Sequence, residues 1–270
     1  AKVEDVNKCV VSVDIEQPFS NVPTIESSQT EVAGLVVANV NSTYLVLTSS
    51  SLLEPGMNYI VRLSDEVQTE AAFVCRNTAS GIGIVSINAS KLTAEQRNSI
   101  AVAQLDNSYM VKQGDLVIAS GKLYETSKGV SYGTIAGSKV EYSKDSGYEV
   151  FETSVSITAG GFAILFNSEG NVVGVSKAST DTSSKFIGIS DLKAQIETMI
   201  NEHGIMYCGI TGQNVTEELA AKYGLPSGVY ISNVDIDSPA YYAGLQAGDV
   251  ISAINGQSVL TIQQFSEKLY

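Results

Sequence analysis

Cutting a peptide bond with a serine requires a hydroxyl, a base that takes its proton, and a carboxylate that orients the base. Serine is plentiful in this 270-residue chain, but histidine is not: His203 is the only one. It follows an apolar pattern at helical spacing (Leu192, Ile196, Met199, Ile200) and precedes Gly204. At such a helix end an imidazole complements the exposed carbonyls, and that role fits better than a catalytic one. Ser–Lys pairs can do related chemistry, but no spacing singles one out. Asp65-Glu66 and Glu217-Glu218 read as turn and helix-start residues, and Asp235 and Asp237 as a solvated strand end rather than a calcium site. Cys9, Cys75 and Cys208 lie far apart with no Cys-x-x-Cys pair, which argues against a zinc site of the usual spacing. Cys9 and Cys75 sit in strand-like text and either pair in an oxidising compartment or stay buried thiols. The glycine-rich stretches follow neither a Walker nor a dinucleotide pattern. No metal and no cofactor is expected.

The elements around these residues divide in two. From Cys9 to about Gly188 there are short Val/Ile/Leu-rich runs bounded by Gly, Ser, Asn or Asp, among them Val10–Val13, Leu35–Ala38, Tyr44–Thr48, Ile60–Leu63, Ala71–Cys75, Ile82–Ile87, Leu116–Ser120, Val150–Thr153, Phe162–Phe166 and Val172–Val175. Many short strands and few helical patterns predict an all-β barrel or sandwich. Leu92–Ser99 reads as a helical turn on a loop. Ser190 is then expected to cap a linker helix. Beyond Gly204 the elements are mixed: a strand at Tyr207–Ile210, a helix opened by Thr216 and ended by Gly224, a strand at Val229–Val234, a short helix at Ser238-Pro239, a strand at Val250–Ile254 running into Asn255-Gly256, and a last helix after Thr261.

A net charge of −13 repels phosphate backbones and anionic lipid heads, so neither nucleic acid nor a membrane surface is an expected partner. Apolar runs such as Val32–Val40 fall well short of the ~20 residues of a membrane helix. The chain opens at Ala1 with neither a Met nor a leader-like apolar segment.

Two stretches carry a family resemblance. Gly228-Val-Tyr-Ile-Ser-Asn-Val with Ser238-Pro-Ala-Tyr-Tyr-Ala-Gly-Leu-Gln-Ala-Gly-Asp-Val-Ile-Ser-Ala-Ile-Asn-Gly resembles the PDZ domain of HtrA-type proteases. The resemblance implies that Tyr207, Cys208, Gly209 and Ile210 form a loop that receives a peptide's C-terminal carboxylate, and that the helix after Thr261 flanks the groove, with Phe265 and Leu269 in its side-chain pocket. The family's loop usually has Leu where this chain has Cys208. The chain ends before the strand expected to close a PDZ fold. The first 190 residues resemble the same family's protease domain through Val32-Ala-Gly-Leu-Val-Val, Leu45-Val-Leu-Thr-Ser-Ser-Ser-Leu-Leu, Gly114-Asp-Leu-Val-Ile-Ala-Ser-Gly-Lys and Phe151-Glu-Thr-Ser-Val-Ser-Ile-Thr-Ala-Gly-Gly-Phe-Ala-Ile-Leu-Phe-Asn, in the family's order.

Laid on that pattern, the catalytic positions are changed. Ser51 stands where the family has its histidine, Gly81 where it has its aspartate, and Gly161 falls nearest the nucleophile, in a run one residue shorter than the family's and followed by the bulky Phe162. The fold class expected is mainly β: a trypsin-like double barrel over 1–189, a linker helix over 190–203 and an α+β PDZ domain over 204–270. The function expected is that of an inactive HtrA-like protein that binds peptides, unfolded segments or protein C-termini, as a scaffold or a chaperone-like binder. The competing expectations are an active serine endopeptidase and a structural subunit that pairs with an active paralogue. Self-association and an extracytoplasmic, envelope-associated location are implied by the family alone.

Overall fold

The computed structural model describes residues 6–15, 31–64, 67–124, 128–177, 179, 181–201 and 204–270. His203, Asp65 and Glu66 lie outside the described residues.

Two six-stranded antiparallel barrels form the first part of the chain. The first comprises β1 (Val10–Ile15), β2 (Val32–Val40), β3 (Thr43–Ser49), β4 (Tyr59–Arg62), β5 (Gln68–Asn77) and β6 (Ile82–Asn88), closed in the order β1-β2-β3-β6-β5-β4. The second comprises β7 (Leu116–Gly121), β8 (Gly129–Ser143), β9 (Ser146–Ile157), β10 (Ala163–Phe166), β11 (Val172–Ser176) and β12 (Ser183–Gly188), closed in the order β10-β11-β12-β9-β8-β7. Closure leaves no sheet edge open. Strands such as β11, buried along its whole length, therefore read as unbroken apolar runs. β8 is the longest strand, with 15 residues, and is mostly half-exposed and polar. The apolar pattern had not marked it, because a strand with little to bury has little hydrophobic signature.

The short helices are local in origin. α1 (Ala94–Asn98) carries a capping box, with Thr93 accepting from the Gln96 N–H and the Gln96 side chain accepting from the Thr93 N–H. The linker helix α2 (Lys193–Ile200) differs from expectation. It follows a 3-10 turn over Ile189–Leu192 and has no side-chain cap. The Ser190 hydroxyl instead accepts the Ser108 N–H at 2.8 Å, which ties the helix approach to the segment between the two barrels.

In the C-terminal region β13 (Ile210–Asn214), β14 (Val229–Val234) and β15 (Val250–Ile251) form an antiparallel sheet in the order β13-β14-β15. Thr216 caps α3 (Glu217–Tyr223), which Gly224 ends in the left-handed conformation at φ 67°. Ser238 caps α4 (Pro239–Tyr242), and Thr261 caps α5 (Ile262–Leu269). The strand expected at Tyr207–Ile210 begins only at Ile210, and residues 207–209 are loop. The strand expected at Val250–Ile254 breaks at Ser252 into β15 and β16 (Ala253–Ile254), the latter paired with β17 (Gln257–Ser258) across Asn255-Gly256. Ile210, Val229, Ile231, Ala240, Val259, Ile262 and Phe265 form this region's own core.

None of the three cysteines forms a disulfide. Burial pushes the Cys9 thiol up to about 11, so it packs as a small apolar side chain.

On β8 Glu141 is ringed by Lys177, Lys139 and Lys185. The Lys177 ammonium foremost holds its carboxyl down at about 2, from an ordinary 4.5. A lowered carboxyl contributes stability above its ordinary value and loses it as pH falls through its folded value. Acid unfolding of the wild type should therefore steepen below pH 4.5, a slope that Glu141→Gln removes. At neutral pH the variant should lose about 1 kcal/mol or less, because the lysine side chains are 37–55% exposed and water screens the pairs. Urea unfolding midpoints of both proteins from pH 2 to 7 measure this, and parallel curves would refute it.

Candidate functional site

Two places can do chemistry. The first comprises the positions that the resemblance assigns to catalysis. Ser51 is exposed in the 3-10 turn Ser50–Leu52 after β3, its hydroxyl 2.8 Å from that of Ser49. Gly81 precedes β6 with φ 78°, and its carbonyl accepts the Ser50 N–H at 2.9 Å. The fold thus brings these two positions together. Gly161 lies between β9 and β10, buried and enclosed: a Cβ placed there would collide with the Lys122 carbonyl and lie 2.8 Å from Ile157 Cγ2 and 2.9 Å from the Thr158 oxygen. These atoms nearest to Gly161 all belong to the second barrel. Two main-chain donors of this loop are already committed. The Gly160 N–H donates to the Ser179 carbonyl at 3.0 Å, and the Gly161 N–H to that of Thr158 at 2.9 Å. An oxyanion hole needs two such donors aimed at one vacant point. Phe162 is fully buried, in an apolar cluster shared by residues of both barrels and the linker helix. Lys91, Lys139, Lys144, Lys177 and Lys185 each pair with a carboxylate.

The second place is the loop before β13. The N–H groups of Cys208, Gly209 and Ile210 converge on the carboxylate of Asp145, which stands in the turn between β8 and β9. Gly209 has φ 91°, and a Cβ there would collide with Ser238, so glycine is required for the loop to curl. Successive N–H groups in such a curl make an anion nest. Burial raises the Cys208 thiol to about 11, keeping it neutral beside the bound carboxylate. The Tyr207 hydroxyl turns outward and donates to Asp235 at 2.8 Å. Phe265 is buried in the core of the C-terminal region, and Leu269 packs against that core. The residues of α5 that face the second barrel are instead Ile262, against Gly147, and Ser266, whose hydroxyl lies 2.9 Å from that of Ser146. With Tyr270, whose hydroxyl accepts from Asn77, they form a stripe at i, i+4, i+8. Sequence reasoning named neither Asp145 nor this stripe; the four-residue spacing was the available signal.

Fold and site together define a trypsin-like double barrel followed by a partial PDZ region. A model of the trypsin-like peptidase domain matches residues 33–175, and one of the PDZ domain matches residues 230–270. The first match spans just over half of the chain, which belongs to the trypsin-like peptidase family. It is similar to the "Probable periplasmic serine endoprotease DegP-like" of Pseudomonas savastanoi pv. phaseolicola (27% identity over 226 residues, 80% of this chain and 46% of that protein). It is also similar to the protein of that name from Halomonas elongata (26% over 225 residues, 79% and 46%). The chain therefore spans about half the length of the curated relatives it matches. In fold it is similar to the HtrA-type protease AlgW solved with a decapeptide (TM-score 0.66, 19% identity, covering 99% of this chain and 89% of that one). It has the same likeness to AlgW solved with a tripeptide (0.66, 20%, 100% and 88%).

Proposed function

We propose that this chain is a peptidase-fold protein without peptidase turnover, whose PDZ loop binds carboxylate-ended peptides and so holds partners instead of cutting them. The observation that carries this reading is a contrast in where main-chain N–H groups point. Between β9 and β10, where acyl transfer needs them free, the donors of Gly160 and Gly161 are committed to carbonyls. Before β13, three consecutive donors converge on one carboxylate. The first arrangement leaves no preorganised stabiliser for a tetrahedral intermediate; the second suits the terminal carboxylate of an added strand. Ser51, Gly81 and Gly161 at the positions of base, orienting acid and nucleophile support the same reading. In this proposal the peptidase fold spans 1–189, the linker 190–203 and the PDZ domain 204–270. Placement outside the cytoplasm rests on the relatives named as periplasmic.

The competing reading, an active serine endopeptidase, is favoured by the names of those relatives. Casein turnover run beside fluorophosphonate labelling separates the two. The proposed function requires no cleavage above the no-protein control and no label, and cleavage blocked by the probe would replace it with the endopeptidase. The binding half is measured with a pool of random decapeptides bearing free C-termini, compared with the same pool amidated. Capture lost on amidation supports the loop as the site. Stable self-association with neither activity nor capture would favour a purely structural subunit.

A further inference from the structure

We infer that the turn between β8 and β9 is a built-in ligand of the PDZ loop, competing with peptide C-termini for the same three N–H groups. This rests on the peptide-binding reading above and adds what the loop holds when no peptide is present.

The geometry is that of a strand-adding ligand. Asp145 Oδ1 accepts from Gly209 and Ile210, each at 2.8 Å, and Oδ2 from Cys208 and Gly209, each at 2.9 Å. The Asp145 main-chain N–H then donates to the Ile210 carbonyl at 2.8 Å, and Lys144 bridges Thr211 in antiparallel fashion. β13 pairs with β14 on its other side, so the turn takes the edge an incoming peptide would use. Carboxylate in the nest and ladder bond to the adjoining strand are the two halves of peptide capture by strand addition. Here a side-chain carboxylate stands in for a terminal one.

A plain interdomain strut would not need this arrangement. Asp145 is 3% exposed and adopts φ 56°, a left-handed conformation that an L-residue adopts at a cost. The reward for that conformation is the placement of the carboxylate. Around it the turn is held by modest contacts. The Lys144 ammonium meets Asp235 at 2.6 Å on a solvent-exposed flank, a pair of small net worth. The Ser146 and Ser266 hydroxyls share one hydrogen bond, and Gly147 closes on Ile262 with no room for a side chain. Two carboxylates cannot share three donors at one point, so a peptide enters only when Asp145 leaves. The apparent affinity for a peptide is reduced by the fraction of molecules in which the loop is empty.

The test uses the full chain with Asp145→Ala and Asp145→Asn. Asparagine tolerates the left-handed turn but sets an NH2 group against the loop's donors. Each protein is measured for amide hydrogen exchange and for capture of the decapeptide pool, free and amidated. Expected in both variants are exchange at Cys208–Ile210 at least about tenfold faster, unchanged exchange in β11, and capture of free-carboxylate peptides at least about tenfold tighter than wild type. Unchanged exchange at Cys208–Ile210 overturns the inference. So does faster exchange with wild type and variants capturing equally well; the peptide reading then stands alone. Faster exchange with no capture by any of the proteins overturns peptide binding itself, and the exchange result distinguishes that failure from the absence of the built-in ligand.

Discussion

A chain carrying Ser51→His, Gly81→Asp and Gly161→Ser together is expected to leave casein uncut and to unfold at a lower temperature than the wild type. Installing three residue types does not supply the setting they need. Gly161 is the limiting position, because a Cβ there meets the Lys122 and Thr158 carbonyls and Ile157 together. Backbone oxygens cannot rotate away, so the loop must shift. Forcing atoms into packed space costs about 1–3 kcal/mol. The aspartate adds about 1 kcal/mol by placing a side chain where φ is 78°. For a chain of this size each kcal/mol lowers Tm by about 2–4 °C, so a fall of several degrees is expected by calorimetry. No catalysis is expected from the triple variant, because the Gly160 and Gly161 donors are already bonded to the Ser179 and Thr158 carbonyls, and a triad without a formed oxyanion hole lacks its main electrostatic stabiliser. Fluorophosphonate labelling at position 161 of the triple variant would show that the loop can re-form a working site, and would withdraw the argument from main-chain geometry.

Phe162→Ala should produce a larger loss of stability than single substitutions at Ser51, Gly81 or Gly161. Phe162 has no solvent exposure and belongs to the apolar cluster that residues of both barrels share, whereas Ala163 and Leu165, close to it in the chain, belong to a cluster built from the second barrel alone. Its ring is thus part of the packing that links the two barrels. Removing a buried phenyl ring costs about 3–5 kcal/mol, lost transfer plus the cavity left behind, which lowers Tm by on the order of ten degrees. Phe162→Leu should recover most of that loss, because a branched aliphatic side chain refills much of the space. Equilibrium urea unfolding at neutral pH compares the three proteins. A midpoint for Phe162→Ala within error of the wild type would mean the ring is not the link described.

Much of the fold was legible along the chain. Unbroken Val/Ile/Leu runs marked the strands of the closed barrels, since a strand buried on both faces has little need of alternation. Thr216, Ser238 and Thr261 each announced a helix, because an N-cap is a bond between neighbours three residues apart. The misses have physical reasons. Ser190 was expected to cap α2, but its hydroxyl had a tertiary alternative in the Ser108 N–H. β8 escaped because its residues are half-exposed.

What the sequence by itself determined is local or compositional: mainly β structure, the helices capped by Thr216, Ser238 and Thr261, and the scarcity of histidine. What only the tertiary structure decided is which groups meet. Asp145 in Ser-Lys-Asp-Ser reads as an ordinary turn residue, and nothing in its neighbourhood points 63 residues onward to Cys208. The closure of Gly161 by Lys122 is likewise invisible in the linear text. Propensity, capping and periodicity act between residues a few positions apart. A carboxylate held by distant amides leaves no repeat in the sequence, because its partners are chosen by how the barrels and the C-terminal sheet pack together.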